Sequence, residues 1–513
     1  MKRTDLTWIL LLTLLACGVT ALAGYDNTFG EPDMGSMVVG IVYGAVAGDP
    51  LAGGLQYGMP FSFGYYQLLY ALIPAAQLAN PDEVTRVINQ VGLAFAALFA
   101  LGLGLLLSRL LERGVSLFVT AAFLFSPLAL PFLASGHPFI GACAFLFLAC
   151  WLVLLAADAA PARRAGALLA ALAALVASLV LRGDIALALP FVPALAWAAT
   201  GRPLAAVWRQ LALVCVVVAA AFACFLLLQW PYVATKGGAG GSLMGFVNKF
   251  VALDRLGRGL VVFCMTLGAG TGLALALGGL RALRGPRPAW PVPLALLALA
   301  LPSLLFWLPN PQPARHFLFP VLAAFILVGL LWAPRLASLK QAAGWAALLV
   351  LGNQALAEAV RPLIVRQYQW SYPADDLRRA TQQVPIGLFP LDQRANATAQ
   401  QRLRAEARRL AAARPQRLLL LADSREYILA TLLATDPTLR LAPVKVGPVD
   451  ALLLSNSERQ LYVVEKRPQW PRDTLAIVQA LPQYAGWPIY VQPATIGRYD
   501  HATIIAGRAF HAP

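Results

Sequence analysis

FSFGYYQLLYALIPAAQLA, from Phe61 to Ala79, decides how this chain folds. Its apolar residues would pass for a membrane-crossing helix, and a crossing here would turn every later loop to the opposite side of the bilayer. The stretch is nonetheless a poor span. Tyr65, Tyr66 and Tyr70 cluster on it, and Gln67, Pro74 and Gln77 interrupt it. Tyrosine-rich amphipathic segments settle at the membrane interface, where the ring is buried and the hydroxyl stays wet. The segment therefore reads as a helix lying flat on the outer surface, with Tyr65 and Tyr66 as candidate substrate contacts.

Its surroundings are those of a polytopic membrane protein. Of 513 residues 59% are hydrophobic, and the mean hydropathy is +0.68, which excludes a soluble protein. Apolar stretches of roughly 16–25 residues recur as far as residue 360, the length at which a helix spans hydrocarbon. Candidate crossings run near 7–23, 84–108, 115–134, 139–157, 166–181, 185–199, 209–229, 258–280, 291–309, 316–332 and 342–360. That makes about eleven crossings, with outer juxtamembrane helices in the loop 24–83. Beyond residue 360 charges come every few positions. The chain thus divides into a transmembrane domain over 1–360 and a soluble domain over 361–513.

The formal charge is +16, yet nucleic acid is not the partner it implies. Most basic residues of the membrane domain fall in short loops, without the aromatic-interleaved patch of a nucleic-acid binder. With the N-terminus inside, the cytoplasmic loops hold Arg109, Arg113, Arg163, Arg164, Arg202, Arg281, Arg284, Arg287, Arg335 and Lys340. The outer loops are nearly free of Lys and Arg until residue 230. This asymmetry places the N-terminus in the cytoplasm and the C-terminal domain outside. Lys2 and Arg3 ahead of an apolar run also fit a cleavable secretory leader, but a retained anchor is favoured. All six cysteines, Cys17, Cys143, Cys150, Cys215, Cys224 and Cys264, lie in apolar spans and read as small core residues.

Carboxylates are scarce, yet Asp26, Glu31 and Asp33 gather in the loop from Tyr25 to Gly35, which has no Lys or Arg. Either they cap the helix that follows, from Met34 to Ala47, or they work as a base at the outer face. Two neighbouring spans, 166–181 and 185–199, reach only about 24 Å each, short of the roughly 30 Å hydrocarbon core. Arg182-Gly183-Asp184 lies between them. A charged pair on undersized helices implies a dip below the outer interface, or an ordinary turn.

The order of these features resembles the GT-C class of polyprenyl-phosphate-sugar-dependent membrane glycosyltransferases, which includes protein O-mannosyltransferases and the lipid A aminoarabinose transferase. The resemblance is carried by the anchor helix and acidic loop, "PFSFGYYQLLYAL" from Pro60 to Leu72, and the span entered through Arg86. It continues with "LRGDIALALP" from Leu181 to Pro190 and "RHFLFPVLAAF" from Arg315 to Phe325, covering most of residues 1–335. It implies a GT-C-like fold and an inverting transfer of sugar from a lipid phosphate to an acceptor hydroxyl. A first-loop carboxylate takes the acceptor proton, and a cation steadies the departing phosphate.

Carried onto this chain, the base is Asp33 or Glu31, where the family shows adjacent Asp-Glu and this sequence has Glu31-Pro32-Asp33. Arg315, Arg182 and His316 are the candidate phosphate ligands, although an Arg at a span end also serves as a snorkelling anchor. Asp26, His137 and Lys249 join Tyr65 and Tyr66 as candidate substrate contacts. Where relatives place an Asp after Gly136-His137-Pro138, Phe139 stands instead. No metal ligand set is assigned, and a divalent metal lacks its second acidic motif.

The implied partners are a polyprenyl-phosphate-linked sugar, an acceptor of unspecified class and the lipid bilayer; the implied place is the bacterial inner membrane. Two other readings compete. A transporter or flippase of lipid-linked saccharide would show mid-membrane charges and repeated halves. An O-antigen ligase or polymerase would carry a large mid-chain outer loop. In the tail, a basic helix over 397–413, strands near 417–422, 450–454 and 488–492, and a helix over 424–434 predict a small α/β domain with a mostly parallel sheet.

Overall fold

The structure is a computed structural model. It describes residues 3–22, 32–48, 62–235 apart from 127 and 135, 260–282 apart from 261, 262 and 265, 291–308, 314–371, 404–465 apart from 406, 423–424 and 447–448, and the short stretches 488–491 and 510–511. The first helices are α1 (Arg3–Leu22), α2 (Pro32–Ala47) and α3 (Phe63–Leu72). At ten residues α3 is about 15 Å long, too short to cross hydrocarbon. It is also less superficial than expected. Tyr65, Tyr66 and Leu69 are buried in protein, while Gln67, Ala71 and Leu72 are exposed.

The long helices start and stop where the sequence provides caps. In α4 (Pro81–Leu110) the Asn80 side chain accepts from the Asp82 and Glu83 amides, at 3.0 and 3.5 Å. Pro81 opens the helix, two acids fill its first turn and Arg109 its last, as the helix dipole favours. A reversal at Leu111 and Glu112 leads into α5 (Arg113–Leu124) and α6 (Ala129–Ala134). The expected span over 115–134 is therefore two short helices. Then come α7 (Pro138–Ala157), α8 (Pro161–Leu181), a 3-10 turn (Gly183–Ala188) and α9 (Phe191–Thr200). Gly201, at φ +61°, ends α9 in the left-handed conformation that suits glycine.

The remaining bundle is α10 (Leu204–Thr235), α11 (Ala269–Ala282), α12 (Pro291–Trp307), α13 (Leu318–Leu331) and α14 (Leu339–Ser371). Among the described residues, five helical stretches are long and apolar enough to cross a bilayer: Pro81–Leu110, Pro138–Ala157, Pro161–Leu181, Gly183–Thr200 and Leu204–Gln229. Five shorter apolar helices accompany them. Helix α7 packs between α4 and α8, and α1 lies along α4. Leucines such as Leu227 and Leu351 stay exposed, as they do on helices that face lipid.

The bundle has two ends. At one, Arg109 bonds Asp158, Arg113 Nε lies 2.9 Å from Asp5 Oδ1, and the backbone of Leu336 abuts Gly114. By connectivity Arg163, Arg164, Arg202 and Arg335 belong to this end as well. At the other end lie α3, Asp82 and the turn before α7. The described part of the C-terminal segment sits at this second end.

Its sheet has the order β2-β3-β4-β1-β5-β6, built from β1 (Arg417–Ala422), β2 (Arg440–Val446), β3 (Val449–Ser455), β4 (Gln460–Glu465), β5 (Pro488–Val491) and β6 (Phe510–His511). The expected mostly parallel sheet is corrected here. Among the described strands the two parallel pairs, β1–β4 and β1–β5, share β1, while β2–β3, β3–β4 and β5–β6 are antiparallel. The reason is topological: β2, β3 and β4 follow one another through short turns, which permit only antiparallel neighbours. Helix α15 (Arg425–Thr435) covers the sheet and packs along α2.

Candidate functional site

Four segments distant in sequence meet at the Asp82 end of the bundle. Helix α8 stops at Leu181 because Arg182 takes an extended conformation, and the chain turns through Gly183–Ala188. The turn lets Arg182 Nε donate to both oxygens of Asp184, at 3.0 and 3.1 Å. Arg182 Nη1 also reaches the hydroxyl of Ser62, the residue before α3, at 3.5 Å. The two charged side chains are 11% and 16% exposed, so the pair is largely withdrawn from water.

His316 joins from the 3-10 turn Ala314–Phe317 that precedes α13. Its Nδ1 lies 3.7 Å from Asp184 Oδ2, an ion-pair distance if the ring is protonated, but longer than a hydrogen bond. The imidazole stacks on Trp307 from the end of α12, with centroids 3.7 Å apart and planes at 24°. Phe139 makes T-shaped contacts with both imidazoles, its ring centre 6.3 Å from that of His316 and 6.5 Å from that of His137. An aromatic box thus holds the imidazole beside the carboxylate. Asp184 stands between a permanent and a conditional cation.

Tyr65 fixes this end from beneath. Its hydroxyl donates to the Gly136 carbonyl at 2.8 Å, and the side chain is fully buried. Gly136, at φ +66°, makes the turn into α7, and a Cβ on Gly92 of α4 would lie 2.5 Å from its Cα. Gly64 lies against α8 in the same way, where a Cβ would collide with Val180. Tyr65 and Tyr66, expected as substrate contacts on an exposed helix, are buried here, because α3 sinks between α8 and the α7 turn. His137 is fully buried too; its Nδ1 accepts from the Phe139 amide at 3.0 Å and caps α7.

The remaining expected site residues are placed in part. Asp33 is the second residue of α2, with its backbone described and its side chain not. Arg315 is known likewise by its backbone, one residue from His316. Glu31, Asp26 and Lys249 lie outside the described residues. Among the described residues no three His, Cys, Asp or Glu side chains converge as a metal site. The structure therefore brings Arg182, His316 and the Arg315 backbone to one place. Helix α2 packs on α4 at the same end.

Sequence reading missed Ser62 and Trp307, which have no motif around them. It also missed the tail's grip on Asp82. Tyr427 Oη donates to Asp82 Oδ1 at 2.7 Å, Arg408 Nη2 bonds Oδ2, and Arg404 Nε lies 3.4 Å from Oδ1. Burial, and then the bond to Asp82, push the Tyr427 hydroxyl well above its ordinary pKa, so it remains a donor at any working pH. The bond that Arg408 donates to Asp82 likewise raises the Arg408 pKa.

No family model matches the sequence, and no curated protein matches it. Two crystal structures of ArnT from Cupriavidus metallidurans are similar in outline. The form bound to undecaprenyl phosphate is 15% identical, with a TM-score of 0.43 over 84% of this chain and 76% of that one. The apo form is 17% identical, with a TM-score of 0.41 over 85% and 76%. Likeness of this degree leaves the activity to be inferred from the residues of this chain.

Proposed function

We propose that the chain is an inverting glycosyltransferase of the bacterial cytoplasmic membrane. It moves a hexosyl or pentosyl unit from a polyprenyl-phosphate donor to a hydroxyl acceptor at the outer face, with the N-terminus in the cytoplasm and the C-terminal domain outside. The observation that carries this reading is the meeting of Arg182, Asp184, His316 and the Arg315 turn at the end of an apolar bundle, where α2 also packs. Water-avoiding helices that gather polar groups at one rim suit a substrate with a lipid tail and a charged head.

In this reading Asp33, with Glu31 as the second choice, takes the acceptor proton as the acceptor oxygen attacks the anomeric carbon. The bond between that carbon and the phosphate oxygen breaks, and its electron pair leaves with the lipid phosphate. Arg315 meets the growing negative charge. Arg182 is already balanced by Asp184, so a phosphate there competes with that carboxylate for the guanidinium. His316 lends a second positive charge when protonated. The resident Asp184 then keeps the cluster from carrying excess charge before the donor arrives.

The test is transfer in proteoliposomes from labelled polyprenyl-phosphate sugars to a panel of lipid, glycan and peptide hydroxyls. Asp33→Asn with Glu31→Gln should abolish product while the protein stays folded in the membrane. Full activity in that double variant overturns the assignment. Label that crosses the bilayer still attached to its lipid, with no acceptor modified, identifies a flippase instead.

A further inference from the structure

The C-terminal segment grips the bundle at a carboxylate whose partners stand more than three hundred residues away in sequence, 326 for Arg408 and 345 for Tyr427. Asp82 occupies the first turn of α4, a place where the helix dipole already favours a negative charge. The tail adds two guanidinium groups and a phenol. Arg404 lies 5.8 Å over the Tyr427 ring, so the partners of Asp82 also brace one another. A single carboxylate thereby joins two charge-assisted contacts and a hydrogen bond from one side of the fold.

The position of this knot gives it a second effect. Tyr427 belongs to α15, and α15 packs along α2, the helix that begins Pro32-Asp33. Helix α2 also packs on α4, which carries Asp82. The three helices make a closed triangle: apolar contact on two sides, and the ionic knot on the third. Met37, Val38, Ile41 and Val42 are fully buried, so α2 depends on its covering elements for its place. Apolar packing between helices tolerates small axial slips more readily than a directional bond does. A directional knot at one corner sets the axial register.

We infer that Asp82 is a positioning residue: its tie to Arg404, Arg408 and Tyr427 seats α15 on α2 and so sets where Asp33 stands. The functional half of this inference rests on the transfer reaction proposed above; the tie itself does not. It gives the tail a task in the reaction without any contact between tail and substrate.

The experiment has two arms, both on the full-length protein in lipid nanodiscs. Amide hydrogen exchange is followed over residues 37–47 and 427–435. Asp82→Asn, and separately Tyr427→Phe, should speed exchange in both peptides by about tenfold, as loss of a hydrogen bond to a charged group would. Asp158→Asn breaks the exposed pair with Arg109 at the opposite end and should leave both peptides unchanged. Exchange within about twofold of the unmodified protein in both Asp82→Asn and Tyr427→Phe overturns the tie.

The kinetic arm separates positioning from folding. With the transfer assay, Tyr427→Phe should lower kcat by about tenfold with donor KM within about twofold, because only the base is displaced. Asp82→Asn should lower kcat to a similar extent, and Asp82→Glu should lower it less. A rise in KM with kcat intact overturns the positioning role. If the unmodified chain transfers no sugar, the proposed reaction fails, and the exchange arm still decides the tie.

Discussion

The carboxylate of Asp184 accepts from the Arg182 guanidinium through both oxygens, and its Oδ2 also faces the imidazole of His316, 3.7 Å away. A near neighbour in sequence and a residue from a distant turn are thus held at one point, where little water reaches them. Removing one partner leaves the other charged and poorly solvated. Asp184→Asn should destabilise the bundle by about 3 kcal/mol, and the double variant Asp184→Asn, Arg182→Gln should cost less than the two singles together. Thermal unfolding of the four proteins in one detergent gives the cycle. Additive losses would show that the pair is only a surface feature.

Two glycines should behave in opposite ways. A Cβ on Gly114 would overlap the Leu336 carbonyl oxygen, a backbone atom that cannot step aside cheaply. Gly114→Ala should cost about 3 kcal/mol and lower the yield of monodisperse protein. Gly344, inside α14, has open space where a methyl group would stand, and Gly344→Ala should gain up to about 1 kcal/mol of helix propensity. Size-exclusion profiles after a heat step compare them directly.

Asn353 acts as a helix cap supplied from another helix. Its Oδ1 accepts from the Thr271 amide at 3.2 Å, and its Nδ2 donates to the Thr271 hydroxyl at 2.9 Å. Thr271→Val removes one bond and should cost about 1 kcal/mol. Asn353→Ala also strands an amide in the first turn of α11, so its cost should be about twice as large. Unfolding midpoints that rank these variants the other way would discard the cap.

The tail should weaken in acid. Burial would raise the Asp436 pKa, but bonds from the Thr438 hydroxyl and Arg459, the Thr438 amide and the Arg459 charge outweigh it and hold the carboxyl below its ordinary value. Arg459 Nη1 is 2.7 Å away, and both side chains are 5% exposed. Because the folded-state pKa is the lower one, this stabilisation is complete above the unfolded value of about 3.9 and is lost as pH falls through the folded value. Pulse proteolysis of the tail in the full-length protein should be flat from neutral pH down to about 5 and rise below about 4. Asp436→Asn should raise cleavage at neutral pH and flatten the acid response.

Much of the bundle was legible because hydropathy and capping are local. Asn80-Pro81-Asp82-Glu83 announces the start of α4, and the basic loops mark one end. The Arg182–Asp184 pair was legible for the same reason, since both residues share one turn. The depth of α3 was not. Whether Tyr65 faces water depends on Gly136, 71 residues on, and no local pattern records that partner. The same holds for Asp82, whose place in the first turn of α4 is visible and whose tail partners are not. In the sheet, strands β2 and β4 went unread: Pro443 and Lys445 blur the first, and polar Gln460 and Glu465 trim the second to four apolar positions. Strand direction followed from the brief turns around them, which composition does not encode.

The ion pairs at Asp5 and Asp82 stand at opposite ends of the bundle. In a sealed vesicle, two different solutions would bathe them. Salt applied on one side alone would then loosen a single anchor while the far one stays fastened, so that each could be released in turn within the same molecule.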